Sequence, residues 1–203
     1  MDVLGPLLAF AVATSGTPGP NVLMVAASAA NNGFRATLPH QAGIACGFAF
    51  MLAVVGLGAS APLAAYPEIH AALKWVGAAW LLWLSWKIAT SPVPQDEAKP
   101  GETRLPPRPP LGFFGAAAFQ WVNPKAWSIA LSAVTVFTTP GGNLVAEVGL
   151  VSIVFFLVCW PLTALWGAFG AAIGRLLSTV GRRRAFNAAM GALCALSIVP
   201  MLG

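Results

Sequence analysis

The sequence predicts an all-α polytopic membrane protein: six transmembrane helices forming two inverted three-helix repeats, with helices one and four broken. Three observations carry this expectation. Hydrophobic residues make up 58% of the chain and charged ones 8%, with mean hydropathy +0.77. A soluble domain carries about 25% charged residues, so this chain has too few to coat a water-facing surface. Six apolar stretches reach the ~20 residues that a ~30 Å hydrocarbon core requires. Two of those stretches are interrupted by proline.

The first stretch, roughly 4–30, contains "TSGTPGPN" at 14–21. Proline lacks an amide donor and clashes with the preceding turn, and glycine costs backbone entropy, so the motif breaks a helix. The stretch lacks the basic leader of a signal peptide, Asp2 being its only early charge, and reads as a mature helix. The second and third run 40–65 and 71–90. Seven prolines and half of the acids follow in 91–110, an exposed linker. The fourth, 111–137, carries the second break, "QWVNPKAW" at 120–127; the fifth and sixth run 144–172 and 185–202. Three spans per half, 1–90 and 111–203, are an odd number, so the second half inserts upside down. Such inverted repeats hold substrate between discontinuous helices.

Depth agrees. The first break follows ~13 residues, or ~20 Å of helix, and the second ~11 residues, or ~17 Å. Both then lie near the midplane, where free backbone groups are tolerated only inside protein or along a wet cavity. Half-helices beginning near Asn21 and Ala126 present amides and partial positive charge to a carboxylate. Those ending near Ser15 and Trp121 present carbonyls to an ammonium group. Lys125 adds a formal charge where ionisable residues are costly and functional by default. The expected substrate contacts are Ser15, Thr17, Pro18, Gly19, Pro20, Asn21, Gln120, Asn123, Pro124 and Lys125, with apolar lining from Val22, Leu23, Trp121 and Trp127. No catalytic group, metal or cofactor is expected.

The remaining polar residues have plainer readings. Ser28, Asn31, Gln41 and Gln120 suit either the lining of a path or helix–helix hydrogen bonds. His40 and His70 sit near span ends within reach of interfacial solvent, and Glu147 reads as an interfacial charge. Trp80, Trp83 and Trp86 form an aromatic belt. "GIACG" (43–47) and "GAAIG" (170–174) are small-xxx-small patterns for close helix packing. Nine of the Lys and Arg residues fall in loops 31–39, 86–110 and 173–184, whereas the opposite side has only Lys74. The positive-inside rule makes that side cytoplasmic and both termini external. "GRRR" at 181–184 is then a topology anchor, not a nucleic-acid patch.

Other classes fare poorly. Cys46, Cys159 and Cys194 lie in apolar spans without a CxxC pair and read as small packing residues. A thiol–disulfide carrier needs facing cysteines at the breaks, and a metal exporter needs clustered acids, His or Cys. No Ser/His/Asp set or phosphate loop suggests an enzyme.

"TPGPNVLMV", "NNGFRATLPHQAGIACGF", "KWVGAAWLLWLSWKI" and "FQWVNPKAW", in that order over nearly the whole chain, resemble the LysE/RhtB family of amino-acid exporters. The resemblance implies export of amino acids or close derivatives across the bacterial inner membrane, driven by the proton gradient. Its first proline motif falls on Pro18, Gly19 and Pro20, its second on Asn123, Pro124 and Lys125. Ser85 stands where a glycine is more typical. The partners implied are an amino acid, protons and membrane lipid, with no nucleic acid; a homodimer is left open. Since no Asp or Glu lies deep in a span, neutral side chains (homoserine-, threonine- or leucine-like) are expected over basic ones.

Overall fold

The computed structural model describes residues 3–59, 67–93 and 108–199. Asp2, residues 60–65 of the second apolar stretch, residues 94–107 of the linker, residues 200–202 of the last stretch and the side chains of His70 and Lys74 lie outside the described residues. The described residues are helical, with no strand. The helices are α1 (Leu4–Gly16), α2 (Pro20–Asn32), α3 (Leu38–Val54), α4 (Pro67–Ala89), α5 (Phe113–Phe119), α6 (Pro124–Phe137), α7 (Leu144–Leu176) and α8 (Val180–Leu196).

The two proline motifs break the chain where their chemistry demands. α1 ends as Thr17 turns extended (φ −66°, ψ 140°), and Pro20 opens α2 at a position where a missing amide costs nothing. A 3₁₀ turn over Gln120–Val122 follows α5, Asn123 turns extended, and Pro124 opens α6. Each half is too short to cross a bilayer alone. Among the described residues, two helical segments are long and apolar enough to do so: Arg35–Gly58, which contains α3, and Leu144–Leu176. At 1.5 Å per residue α7 is about 50 Å long. Much of the outer surface is apolar, with Phe114 83%, Val145 70% and Val136 66% exposed. Such a surface suits hydrocarbon rather than water.

Glycine sets the closest helix approaches. A Cβ at Gly43 would overlap the Phe113 carbonyl oxygen, and one at Gly47 would lie 2.5 Å from Ala117 Cα, so α3 meets α5 along "GIACG". A Cβ at Gly170 would overlap the Ala26 carbonyl, and one at Gly174 the Ala30 carbonyl, so α7 meets α2 along "GAAIG". At Ser85, where the family pattern favours glycine, the side chain is buried and donates to the Leu81 carbonyl (2.7 Å). The close approach of α8 to α4 there comes from Gly191 instead, whose Cβ would lie 2.6 Å from the Ser85 carbonyl oxygen. Around these contacts, Leu7, Met51, Leu52 and Phe155 centre one apolar cluster, and Leu23, Leu81, Met190 and Cys194 another.

One polar residue departs from its expected setting, and two others gain a structural contact. His40 is not at an interface: it is 1% exposed, and neither ring nitrogen has a hydrogen-bond partner among the described residues. Arg183 does more than anchor, since its guanidinium donates to the Ala30 carbonyl (3.1 Å) and the Gly174 carbonyl (2.9 Å), tying α8 to α2 and α7. Glu147 accepts from the Thr139 amide (2.8 Å) and holds the turn before α7. Asn31 behaves as expected, donating across helices to Asn187 Oδ1 (2.9 Å).

Candidate functional site

The two breaks face one another. Lys125, in the first turn of α6, reaches back across the gap, and its Nζ donates to the Thr17 carbonyl (2.9 Å) and to Thr17 Oγ1 (2.7 Å). An ammonium has three donors, so one remains for another acceptor. Beside it Asn21 and Gln120 form a reciprocal amide pair: Asn21 Nδ2 donates to Gln120 Oε1 (2.9 Å) and Gln120 Nε2 to Asn21 Oδ1 (3.2 Å). Gln120 is fully buried and also donates to the Ala116 carbonyl (2.9 Å). Gly19 is extended, a backbone any residue adopts, but a Cβ there would sit 2.9 Å from Lys125 Cδ and 3.0 Å from Nζ. Glycine at 19 makes room for the lysine.

The freed backbone groups are only partly satisfied. α2 has no side-chain cap at its N-terminus, whereas Asn123 Oδ1 accepts from the Lys125 amide (3.2 Å) and caps α6. Of the two helix starts, the α2 end is therefore the more open to an anion. The carbonyls expected to receive an ammonium are largely taken. Trp166 Nε1 donates to the Gly16 carbonyl (3.3 Å), Trp127 Nε1 to the Trp121 carbonyl (2.9 Å), and Lys125 holds Thr17. Side-chain oxygens are left for that task.

Between the breaks lies a cavity of about 40 Å³. Of the sequence-predicted residues, Ser15, Thr17, Gly19, Pro20, Asn21, Gln120, Asn123 and Lys125 line it, with Val22 of the apolar set. Pro18 does not and is exposed. Pro124 packs outward against α4, where a Cβ on Gly77 would lie 2.9 Å from its Cγ. Leu23 belongs to the α4 and α8 cluster, and the Trp121 and Trp127 rings pack on each other (5.9 Å) beside the other cluster. Pro18 and Pro124 shape the breaks without lining the cavity, whereas Pro20 forms part of its wall.

Sequence reasoning missed the far wall. Ile44 and Phe48 of α3 and Cys159 and Thr163 of α7 also line the cavity. Cys159, read as a plain packing residue, donates or accepts at 3.7 Å with Thr163 Oγ1, which itself donates to the Cys159 carbonyl (2.6 Å). Spacing of i, i+4 was the available signal, a helical face carrying two small polar side chains. No carboxylate lines the cavity among the described residues. About 40 Å³ holds roughly three waters, less than an amino acid fills.

A family model for the LysE type translocators matches residues 12–201. The cysteine/O-acetylserine efflux protein of Salmonella typhimurium strain LT2 is 35% identical over 167 residues, 79% of this chain and 81% of that protein. The protein of the same description from Escherichia coli strain K12 is 31% identical over 184 residues, 89% of each chain. No solved structure matches. With the family model covering nearly the whole chain and both proline breaks within it, the chain belongs to the LysE type translocator family and is a membrane transport protein, not an enzyme.

Proposed function

We propose that the chain exports small neutral amino acids from the cytoplasm across the bacterial inner membrane, driven by the proton gradient. The observation that carries this reading is the Lys125 ammonium, held only by Thr17 where the two broken helices meet, with a donor free and no carboxylate lining the cavity among the described residues. A substrate carboxylate bridging that ammonium and the uncapped α2 N-terminus would supply the missing anion. Oxygens of Ser15, Asn21 and Gln120, which share the cavity, take the α-ammonium. A metal cation would meet an ammonium instead of an anionic cage, and Cys159 has no second thiol in the cavity for disulfide exchange.

The architecture behind the reading is six spans in two inverted halves, 1–90 and 111–203, joined by a cytoplasmic linker, with both termini outside. Helix contacts support it: the second span packs on the first half of the fourth, and the fifth span packs on the first half of the first, pairings that exchange when the halves are swapped.

Side-chain charge decides the substrate. A lysine side chain would be left unpaired, and an unpaired buried charge costs several kcal/mol. The relatives' names specify cysteine and O-acetylserine, both neutral in the side chain. Export of labelled cysteine, O-acetylserine, threonine, leucine and lysine from preloaded cells tests this. Neutral substrates are expected to leave at least about tenfold faster than lysine, a difference of about 1.4 kcal/mol. Lysine leaving as fast as the neutral set would contradict the reading.

A further inference from the structure

A second cavity, of about 230 Å³, lies between α2, α4 and the segment following the linker. Asn31, His40, Trp80, Trp83, Lys87 and Arg108 are among its walls. The wall is built, not incidental. Asn32 Nδ2 donates to the Arg108 carbonyl (3.0 Å), and Arg108 Nη1 donates to the Lys87 carbonyl (3.1 Å). Lys87 Nζ sits 3.8 Å from the centre of the Trp83 ring, which stacks at 4.7 Å on Trp80. Two cations therefore flank an aromatic wall with no carboxylate in the lining among the described residues, and His40, though buried, has both ring nitrogens unpartnered.

This cavity and the central one share two helices. Asn21 lines the first and Ser28 the second, seven residues apart on one face of α2, or about 10 Å. His40 lines the second cavity and Ile44, one turn on, lines the first. Val25, Ile44, Ala116 and Cys159 form one buried cluster, in which Ile44 and Cys159 line the central cavity and against which Leu111 of the second cavity's wall packs.

We propose that the second cavity is a loading site for the transported amino acid, occupied before transfer to the central site. It rests on the export reading above. The substrate carboxylate lies with Arg108 and Lys87, and the α-ammonium meets the Asn31 side-chain oxygen and the Trp faces. A lipid is the competing occupant, since cationic and aromatic groups also hold anionic headgroups. An acyl chain in the cavity, however, would lay hydrocarbon on Ser28 and the Asn31 side-chain oxygen, and burying a polar group without a partner is costly. A small zwitterion satisfies them.

The test uses the purified full-length protein in phosphatidylcholine vesicles with labelled L-cysteine kept reduced. Equilibrium binding should give two sites per chain in the wild type, one in Lys125→Ala and none in Lys125→Ala with Arg108→Gln. Transport from the Arg108 face should show an apparent KM raised about tenfold by Arg108→Gln, Lys87→Gln or Trp83→Ala, with maximal rate falling less than about threefold, as expected for a lost charged contact on a path outside the translocation step. Unchanged KM in all three variants would overturn the proposal, as would activity lost in them and restored by adding phosphatidylglycerol, which marks a lipid site. One site in Lys125→Ala without transport by the wild type would leave the cavity's role in binding standing and overturn the export reading.

Discussion

Lys125→Ala is expected to lower export by about a hundredfold or more, the consequence of losing a charged contact worth about 3 kcal/mol. The protein should still insert and fold. Among the described contacts the ammonium bonds only Thr17, and alanine is a strong helix former in the first turn of α6. Lys125→Arg should also impair, because a planar guanidinium does not replace a compact ammonium in a cavity of about 40 Å³. The same contact can be approached from the other side. Gly19→Ala would press a methyl against Lys125 Cδ and Nζ, displacing the flexible lysine end at little cost to the fold. It should lower export while leaving thermal stability in detergent close to wild type. Wild-type export from Lys125→Ala would assign the residue a structural role only.

Gly170→Leu is expected to prevent stable assembly. A Cβ at 170 would overlap the Ala26 carbonyl oxygen and lie 2.7 Å from its Cα, and that neighbour is helix backbone with nowhere to go. Overpacking against movable side chains costs about 1–3 kcal/mol; here α2 and α7 must separate, so the cost is at least the top of that range. A chain of this size loses about 2–4 °C per kcal/mol, so melting should fall by about 10 °C or the protein should fail to purify as a single species. Gly149→Ala, on the same helix with nothing within 4 Å of the added carbon, is the control and should melt no lower than wild type. Separation of α2 from α7 would also strip the Arg183 bridge that ties their ends.

The parts of the fold legible in the sequence are those fixed by local chemistry. Pro20 and Pro124 open helices, and Thr17 and Asn123 turn extended just before them. The two small-residue patterns predicted close packing, and the closest backbone approaches fall on their glycines. Proline alone does not make a break, though: Pro161 sits inside the continuous α7. What separates the cases is company. Pro20 follows a glycine and a second proline, and Pro124 follows an asparagine that caps the new helix, whereas no glycine, second proline or capping residue immediately precedes Pro161. The missed features depend on tertiary packing. Cys159 and Thr163 reach the cavity because α7 crosses both broken helices, and nothing within their own stretch says so. His40 looked interfacial by position along the chain, yet neighbouring helices cover it. Arg183 looked like a surface charge until the ends of α2 and α7 arrived beside it.

The central claim is that the paired breaks bind a carboxylate through Lys125. It is tested most directly by exchange of labelled L-cysteine in vesicles containing the purified protein, challenged with unlabelled cysteine or with cysteamine, the same molecule without its carboxylate. Cysteine should compete and cysteamine should not, and exchange should vanish in Lys125→Ala. Competition by cysteamine as strong as by cysteine would show that the site does not hold the carboxylate.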